Sequence, residues 1–442
     1  MKSICDEKEN NKLLLSKEAT LEKRGLLDGT SSIVTTVILF LMIILSLFIE
    51  RIDRYNSLFR QYVLIEIVAV LAVTIILALR KNSIKLVKLD WFALAFWTGF
   101  TLYTLVSDIL VDKQYRFAET AAFIVLVLLG FFWNKTTEKG RFIKDFDRAV
   151  QWFLIALMFL SILFPAESLL EGRFNGPIKN PSVFALYLCS IWAILLGSLE
   201  NQMNERKNHA KRMLTYAEML VTLVLMVLSQ SLTPLIALVC VTFLWFFRIV
   251  RNQKGTRFAV FLFLIIGAAS VLLFGTLIVF VRQADVESNS RIIQKLQSAD
   301  ISTLLSGRDY YWRRYLREMN LLGHSKKPFL WDHRILPHNA LIGMMYWYGV
   351  PSVVPYIITM TMAIEKSYRF ADTSVSYAPV PFYSIVSFVI MSMADNVEQP
   401  FVWLPWIACY LMMAPILIMP VEEIEALKKA NTDICAKESE QV

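Results

Sequence analysis

Charged residues are scarce over most of this sequence, and their scarcity decides its class. Asp, Glu, Lys and Arg make up 19% of the 442 residues, whereas hydrophobic residues make up 56%. A soluble domain of this size could not bury so much apolar surface in its own core. Long uncharged stretches recur between residues 31 and 420, each close to the ~20 residues that a helix needs to cross a bilayer. The composition therefore predicts a membrane protein.

Cysteine and histidine are also scarce. The chain has five cysteines and four histidines, without a CxxC motif or a Cys/His spacing typical of zinc sites. The sequence therefore predicts no disulfide, no metal site and no other cofactor. The short alternating segments of a transmembrane β-barrel are absent as well. We expect no cleaved signal peptide, because no small-residue cleavage site follows the first apolar run, 31–49.

We predict an all-α polytopic membrane protein with about twelve transmembrane helices. The seventh and eighth are separated only by SQSLTP, residues 229–234, which is typical of a tight hairpin. The expected spans are residues 31–49, 62–79, 90–111, 117–133, 150–165, 181–198, 214–230, 233–247, 258–281, 339–364, 379–394 and 401–420.

Lysine and arginine orient these spans, because cytoplasmic connections carry an excess of both. With the N-terminus inside, 28 of the 45 lie in inside segments, 7 in short outside loops and 10 in one long outside loop. This bias places both termini in the cytoplasm. The net charge of +8 arises from the same clusters between apolar runs. We therefore expect these charges to meet the lipid bilayer and no nucleic acid.

The connection between the ninth and tenth spans, residues 282–338, differs from the others. Its 57 residues include ten Lys and Arg and three of the four histidines. A long connection among short ones is usually functional. The chain thus divides into a cytoplasmic N-terminal tail, nine spans, a large extracytoplasmic loop, three spans and a cytoplasmic C-terminal tail, at residues 1–30, 31–281, 282–338, 339–420 and 421–442.

Within this loop, LLSGRDYYWRRYLREMNLLGHS, residues 304–325, predicts an amphipathic helix of about 16 residues. Ser306 and Asp309 resemble a capping box, and Gly323 fits a C-terminal stop. An apolar stripe that begins at Trp312 would lie on the membrane surface or on the helix bundle.

Arg308 falls in the first turn of that helix. A helix N-terminus attracts anions through its free amides, and a guanidinium adds a planar pair of donors for phosphate. We therefore interpret Arg308 as an anion-binding residue. The remaining arginines of the helix more simply reach towards lipid headgroups: Arg313, Arg314 and Arg317.

A second outside segment, EGRFNGPIKNPSVFALYL, spans residues 171–188. Its glycines and prolines are typical of turns. Asn180 and Pro181 fit the N-cap and first residue of the sixth span. Arg173 then lies outside, near the membrane face, where an arginine either is simply solvated or binds an anion.

A third segment, LPHNA, residues 336–340, opens the tenth span. Pro337 disfavours helix just before it, and Asn339 can serve as its N-cap. His338 is therefore expected at the outer boundary between water and lipid. Its ring either bonds nearby backbone groups or accepts a proton from a hydroxyl nucleophile.

Three motifs, GRFNGPIKNPSVFALYL, LSGRDYYW and PHNALIGMMYWYGV, resemble those of the O-antigen polymerase and O-antigen ligase superfamily. The twelve expected spans and the large loop between the ninth and tenth are similar to that family too. The resemblance implies a multi-span glycosyltransferase of the bacterial inner membrane. Such enzymes transfer a glycan en bloc from a polyprenyl diphosphate carrier at the outer face of the membrane, without a metal ion.

The resemblance assigns the diphosphate of the donor to Arg173 and Arg308, and the catalytic role on the acceptor side to His338. We expect the reaction to invert the anomeric carbon, because no carboxylate pair placed for double displacement is apparent. Leu232 stands where relatives often carry an arginine, so a glycan or phosphate contact at that hairpin stays open. The supporting positions are Asn180, Ser306 and Asn339.

Three functions are compatible with these features. A polymerase would join polyprenyl-diphosphate-linked oligosaccharide units into O-antigen, capsule or exopolysaccharide, with a flippase and a chain-length regulator as partners. A ligase would transfer the finished glycan to lipid A core, protein or another acceptor. A transporter or lipid-linked sugar flippase would also have about twelve spans, but the similarity between halves that is typical of transporters is missing here. We favour the polymerase.

Overall fold

The computed structural model describes most of the chain and is almost entirely helical there. One short antiparallel pair, β1 (Leu169–Leu170) with β2 (Arg173–Phe174), interrupts the helices. The described residues are 29–48, 57–79, 88–111, 117–136, 138–163, 169–170, 173–178, 180–204, 209–262, 264–265, 293, 307–324, 337–395 and 403–440.

Eight long helices form the first part of the described chain. Their bounds are α1 Gly29–Phe48, α2 Ser57–Leu79, α3 Trp91–Leu110, α4 Phe117–Lys135, α5 Lys139–Leu163, α6 Pro181–Asn204, α7 His209–Ser229 and α8 Leu232–Lys254. The helices after residue 306 are α9 Arg308–Arg317, α10 Ala340–Tyr348, α11 Val353–Phe370, α12 Pro379–Ser392, α13 Leu404–Leu417 and α14 Val421–Glu440, with a 3₁₀ turn at Val350–Ser352.

Seven of the described helices are long and apolar enough to cross a membrane: α1, α2, α3, α5, α6, α7 and α8. An eighth span results if α13 and the start of α14, which meet at a bend of 91°, are counted as one. Helices α4 and α12 are apolar but offer shorter runs, Thr120–Lys135 and Pro379–Ser392. The prediction of an all-α polytopic membrane protein is confirmed. Most of the expected ninth span, 258–281, lies outside the described residues.

Helix α6 is the centre of the bundle. Of its apolar stretch, 94% is buried inside the protein. The buried share is only 28% to 44% in the other six candidate spans, which therefore turn a face to lipid. Close contact with α12 depends on Gly197, because a Cβ there would lie 2.6 Å from the Cα of Val380. The absence of a side chain at this position lets the two backbones approach.

The tenth span was expected to run unbroken over 339–364, and this expectation is wrong. Helix α10 ends at Tyr348, and Gly349 follows with φ of 102°, outside the range of a right-handed helix. Pro351 lacks the amide hydrogen that a continuous helix needs and restricts the residue before it. The chain passes through the 3₁₀ turn before α11 begins at Val353.

The helix predicted within the long loop exists but is shorter than expected. It covers ten residues, Arg308–Arg317, and begins at Gly307, whose φ is 73°, without a side-chain cap. Ser306, expected to form a capping box there, lies outside the described residues. Gly323 does not end the helix, because the C-cap is Glu318. The buried side chain on α9 is Tyr315.

The polar segment after Pro420, expected to be a solvated tail, is also helical. Helix α14 turns away from α13 at 91°, and Ile424 in its first turn is fully buried. Ion pairs join its charged side chains to the ends of neighbouring elements: Lys139–Glu423, Arg369–Glu425 and Lys428–Asp372, at 2.9, 3.3 and 3.6 Å.

Lys366 ties three helices together near the same end of the bundle. Its ammonium group donates to the carbonyls of Leu417 and Met419, at 2.6 and 2.8 Å, and to the carboxylate of Asp90, at 2.6 Å. The amide of Asp90 in turn donates to the carbonyl of Ile418 at 3.0 Å. The lysine thus satisfies the carbonyl of Leu417, the last residue of α13, which has no partner within its own helix, and that of Met419 just beyond it.

Candidate functional site

The hairpin between α7 and α8 contacts both predicted anion-binding arginines. Gln230 takes a left-handed conformation with φ of 50°, which makes the turn tight. The Nε of Arg173 donates to the carbonyl of Ser229 at 3.0 Å. An Nη of Arg308 donates to the hydroxyl of Thr233 at 3.3 Å. Two residues from distant segments therefore meet at one short turn.

Arg173 is held by the β1–β2 pair. It lies opposite Leu170 in the antiparallel register and is only 8% exposed. The interpretation of Arg173 as a merely solvated loop residue does not fit this burial. A buried guanidinium needs hydrogen-bond acceptors to offset the loss of water, and the carbonyl of Ser229 on the hairpin is one such acceptor for Arg173.

Arg308 is the first residue of α9, as predicted, and it points to the end of α12. Its guanidinium donates to the carbonyl of Ala394 and lies 3.8 Å from the carboxylate of Asp395. The side chain is 16% exposed, so it is not fully buried. The hydrogen bonds to Thr233 and Ala394 both use the same terminal nitrogen.

Asp395 joins Arg308 to His338. Its Oδ1 lies 3.2 Å from Nδ1 of His338, while its Oδ2 faces Arg308, and its side chain is 8% exposed. The sequence analysis did not identify Asp395. By the expected topology, an acid directly after the eleventh expected span would fall on the same outer side as His338.

His338 is held in an unusual backbone conformation, with φ of 49°. The carbonyl of Pro337, just before it, accepts a hydrogen bond from the indole of Trp312 at 2.6 Å. Helix α9 therefore positions the segment that carries His338. The imidazole is 35% exposed, which leaves it accessible beside the buried Asp395.

Both predicted asparagine caps are confirmed. The carbonyl oxygen of the Asn339 side chain accepts from the amide of Ile342 at 3.0 Å, and its Nδ2 donates to the carbonyl of Met393 at 2.9 Å. Asn339 thus fixes the start of α10 against the end of α12. Asn180 accepts from the amide of Ser182 at 2.9 Å, just before α6 begins.

Arg308, His338 and Asp395 are in direct contact. Arg173 and Arg308 both donate hydrogen bonds to the same hairpin, between α7 and α8. Two guanidiniums suit an anion such as diphosphate. A carboxylate beside one ring nitrogen of a histidine orients the ring, so the other nitrogen is available to take a proton. We call Arg173, Arg308, His338 and Asp395 the polar cluster.

The fold and the polar cluster together define a polytopic helical membrane protein with a candidate site at one end of its bundle. A comparison with models of known protein families gives no match, and a comparison with curated proteins gives none either.

Proposed function

We propose that this protein is a glycosyltransferase that polymerises polyprenyl-diphosphate-linked oligosaccharide units into a surface polysaccharide. The contact of His338 with Asp395, and of Asp395 with Arg308, is the observation that carries the proposal. It places a group suited to deprotonating an alcohol beside a group suited to binding diphosphate. The sequence motifs that resemble O-antigen polymerases and ligases supply the substrate class.

In this proposal the chain crosses the inner membrane of a bacterium about twelve times, with both termini in the cytoplasm and the polar cluster at the outer face. The distribution of Lys and Arg supports that orientation. It also puts the α7–α8 hairpin, the start of α10 and the end of α12 on one side, and these elements are in contact through Arg308 and Asn339.

The donor is a glycan joined through its anomeric carbon to a diphosphate on a long isoprenoid. The isoprenoid stays in the bilayer, so the diphosphate is held at headgroup level. There Arg173 and Arg308 bind it and stabilise the charge that it gains as the glycosidic bond breaks. Asp395, 3.8 Å from the guanidinium of Arg308, would balance part of its charge before the diphosphate binds.

The acceptor hydroxyl attacks the anomeric carbon from the face opposite the diphosphate. Its oxygen forms the new glycosidic bond, the bond to the diphosphate breaks, and the electron pair of that bond leaves with the diphosphate. The proton of the hydroxyl passes to Nε2 of His338, while Nδ1–H donates to Asp395. One displacement of this kind inverts the anomeric configuration.

The experiment is polymer formation by purified, reconstituted variants Arg173→Ala, Arg308→Ala and His338→Ala. Each is expected to lose product while still inserting into the membrane. Arg313→Ala is the matched control, because Arg313 lies on the same helix with its side chain 70% exposed and paired to Asp309. Full product from a variant removes that residue from the site.

The same experiment separates the polymerase from its alternatives. If a ligase acceptor is the true substrate, the wild-type protein attaches finished chains to lipid A core or protein and leaves single repeat units unjoined. If the protein is a flippase or transporter, glycan moves across vesicles without any new glycosidic bond.

A further inference from the structure

A cavity of about 860 Å³ lies at the start of α5, and none of the residues that line it belongs to the polar cluster. Its wall includes Gly29, Ser32 and Ile33 of α1, the segment before α12 at Val375 and Ser376, and Leu427 of α14. By the distribution of Lys and Arg, this end of the bundle faces the cytoplasm.

Basic side chains dominate the polar part of the cavity wall. Arg141, Lys144 and Arg148 lie at positions i, i+3 and i+7 of α5, so they share one helix face, and all three line the cavity. Lys139 lines it as well and pairs with Glu423 at 2.9 Å. Among the lining residues that the structure describes, Glu138 is the acidic one, and it pairs with Arg141 at 3.0 Å.

Two further acids of α5 lie close to the basic wall, but both are buried. Asp145, 3.9 Å from Arg148, accepts a hydrogen bond from the hydroxyl of Ser32 and is fully buried. Asp147 accepts from the hydroxyl of Ser198 inside the bundle and is also buried. The residues that line the cavity therefore carry more basic than acidic side chains, although Glu423 and Asp145 pair with two of the basic groups from outside the lining.

The same face of α5 becomes apolar beyond the cavity. Trp152, Ile155, Phe159 and Ile162 continue the spacing that starts at Arg148, and each is exposed by 43% to 73% of its surface. The fifteen residues after Arg148 carry no charge. The basic wall therefore lies at the level of lipid headgroups, with a tryptophan at the boundary, and the apolar face lies at the level of acyl chains.

Helix α1 supplies a second apolar wall beside this face. Phe40 packs edge-on against Trp152, with ring centroids 6.1 Å apart, so the two helices are neighbours. On α1, Ile33 at the cavity is 60% exposed and Leu41 is 51% exposed. Exposed apolar residues thus follow the cavity on both helices.

We propose that the cavity binds the phosphate of an anionic membrane lipid, with the acyl chains of that lipid along the exposed faces of α1 and α5. Guanidinium and ammonium groups at headgroup level bind lipid phosphate directly. A free phosphate compound would contact the basic wall alone, whereas an anionic lipid would contact both the basic wall and the adjoining apolar faces. The lipid is therefore the occupant that fits both parts of the site.

The experiment is native mass spectrometry of the purified full chain mixed with equal amounts of phosphatidylglycerol and phosphatidylcholine. The wild-type protein is expected to retain phosphatidylglycerol over phosphatidylcholine by about fivefold or more. The variant Lys144→Gln/Arg148→Gln should lose that preference. The control Lys254→Gln/Arg257→Gln, which removes the same charge from exposed positions outside the cavity, should keep it.

Three outcomes would overturn the proposal: equal retention of both lipids by the wild-type protein, an unchanged preference in the cavity variant, or loss of the preference in the control. Inorganic phosphate and glycerol 3-phosphate are added in parallel. If either displaces the retained lipid, the site belongs to a soluble phosphate and the lipid assignment is wrong. Should the double variant fail to fold, Lys144→Gln and Arg148→Gln alone should each at least halve the preference.

Discussion

The imidazole of His338 and the carboxylate of Asp395 lie 3.2 Å apart although 57 residues separate them in the chain. In the proposed reaction, Asp395 is a positioning residue that holds one ring nitrogen so that the other can take the proton. We expect Asp395→Asn to lower kcat by roughly 10²-fold or more, since the amide holds the wrong tautomer of the ring. The rate of glycan polymerisation in proteoliposomes measures this.

A double variant tests whether the two residues act as one unit. His338→Ala combined with Asp395→Asn should be no slower than His338→Ala alone, because the carboxylate acts through the ring. Additive losses would show that Asp395 serves the site independently, for example through its ion pair with Arg308.

Arg308 offers a prediction about geometry rather than charge. Arg308→Lys keeps the positive charge but cannot contact the hairpin and the end of α12 while also offering two donors to diphosphate. We expect kcat/KM for the lipid-linked donor to fall by about tenfold or more. Arg313→Lys, on an exposed part of the same helix, should change it little. Similar kinetics for both variants would contradict a directional role.

Gly349 allows a matched test of backbone geometry. Both Gly349 and Gly255 follow a helix with positive φ, at 102° and 89°. A Cβ at Gly349 would lie 1.9 Å from the carbonyl oxygen of Leu321, whereas a Cβ at Gly255 would meet nothing within 4 Å. Gly349→Ala should therefore lower the melting temperature in detergent far more than Gly255→Ala does, because it adds a clash to the same conformational strain.

Asp90 predicts a pH dependence of stability. Burial opposes its charge, but hydrogen bonds from Lys366 and from the amide of Ala93 outweigh that effect and lower the pKa of Asp90. A carboxyl group with a lowered pKa stabilises the fold above its unfolded pKa of about 4, and that contribution is lost as the pH falls through the folded pKa. Asp90→Asn should destabilise the protein at pH 7 and progressively less below about pH 4.

Tryptophan fluorescence during thermal unfolding measures the Asp90 effect at each pH. Asparagine retains the capping oxygen that accepts from Ala93, so the variant changes only the group that faces Lys366, where it removes the charge and the hydrogen-bond acceptor. If the difference in melting temperature between the wild-type protein and Asp90→Asn stays constant from pH 7 to pH 3, the charge of Asp90 does not stabilise the fold.

The apolar runs of the sequence predicted most of the helices well, because the length of an uncharged run reports directly on burial in lipid. The break at Gly349 was harder to predict, since a glycine and a proline inside an apolar run are also tolerated in continuous membrane helices. In the structure Gly349 lies so close to Leu321 that a Cβ would come within 1.9 Å of its carbonyl oxygen, and this contact joins residues from separate segments.

For the site, the sequence identified Arg173, Arg308 and His338 but missed Asp395. The three basic residues stood out because each lies next to a turn or a helix start. An acid after an apolar run is usually solvated, and nothing nearby in sequence distinguishes Asp395 from that ordinary case. Its significance depends on two partners that tertiary structure alone brings within reach.

The hairpin between α7 and α8 has no charged residue, and yet Ser229 and Thr233 within it hold the two arginines of the polar cluster. Any neutral substitution that moves this turn would change the spacing between the two cations. In the proposed reaction, that spacing would set the size of the anion that both guanidiniums bind. In the proposed enzyme, selectivity among lipid-linked donors would then depend on the uncharged residues of this turn as well as on the two arginines.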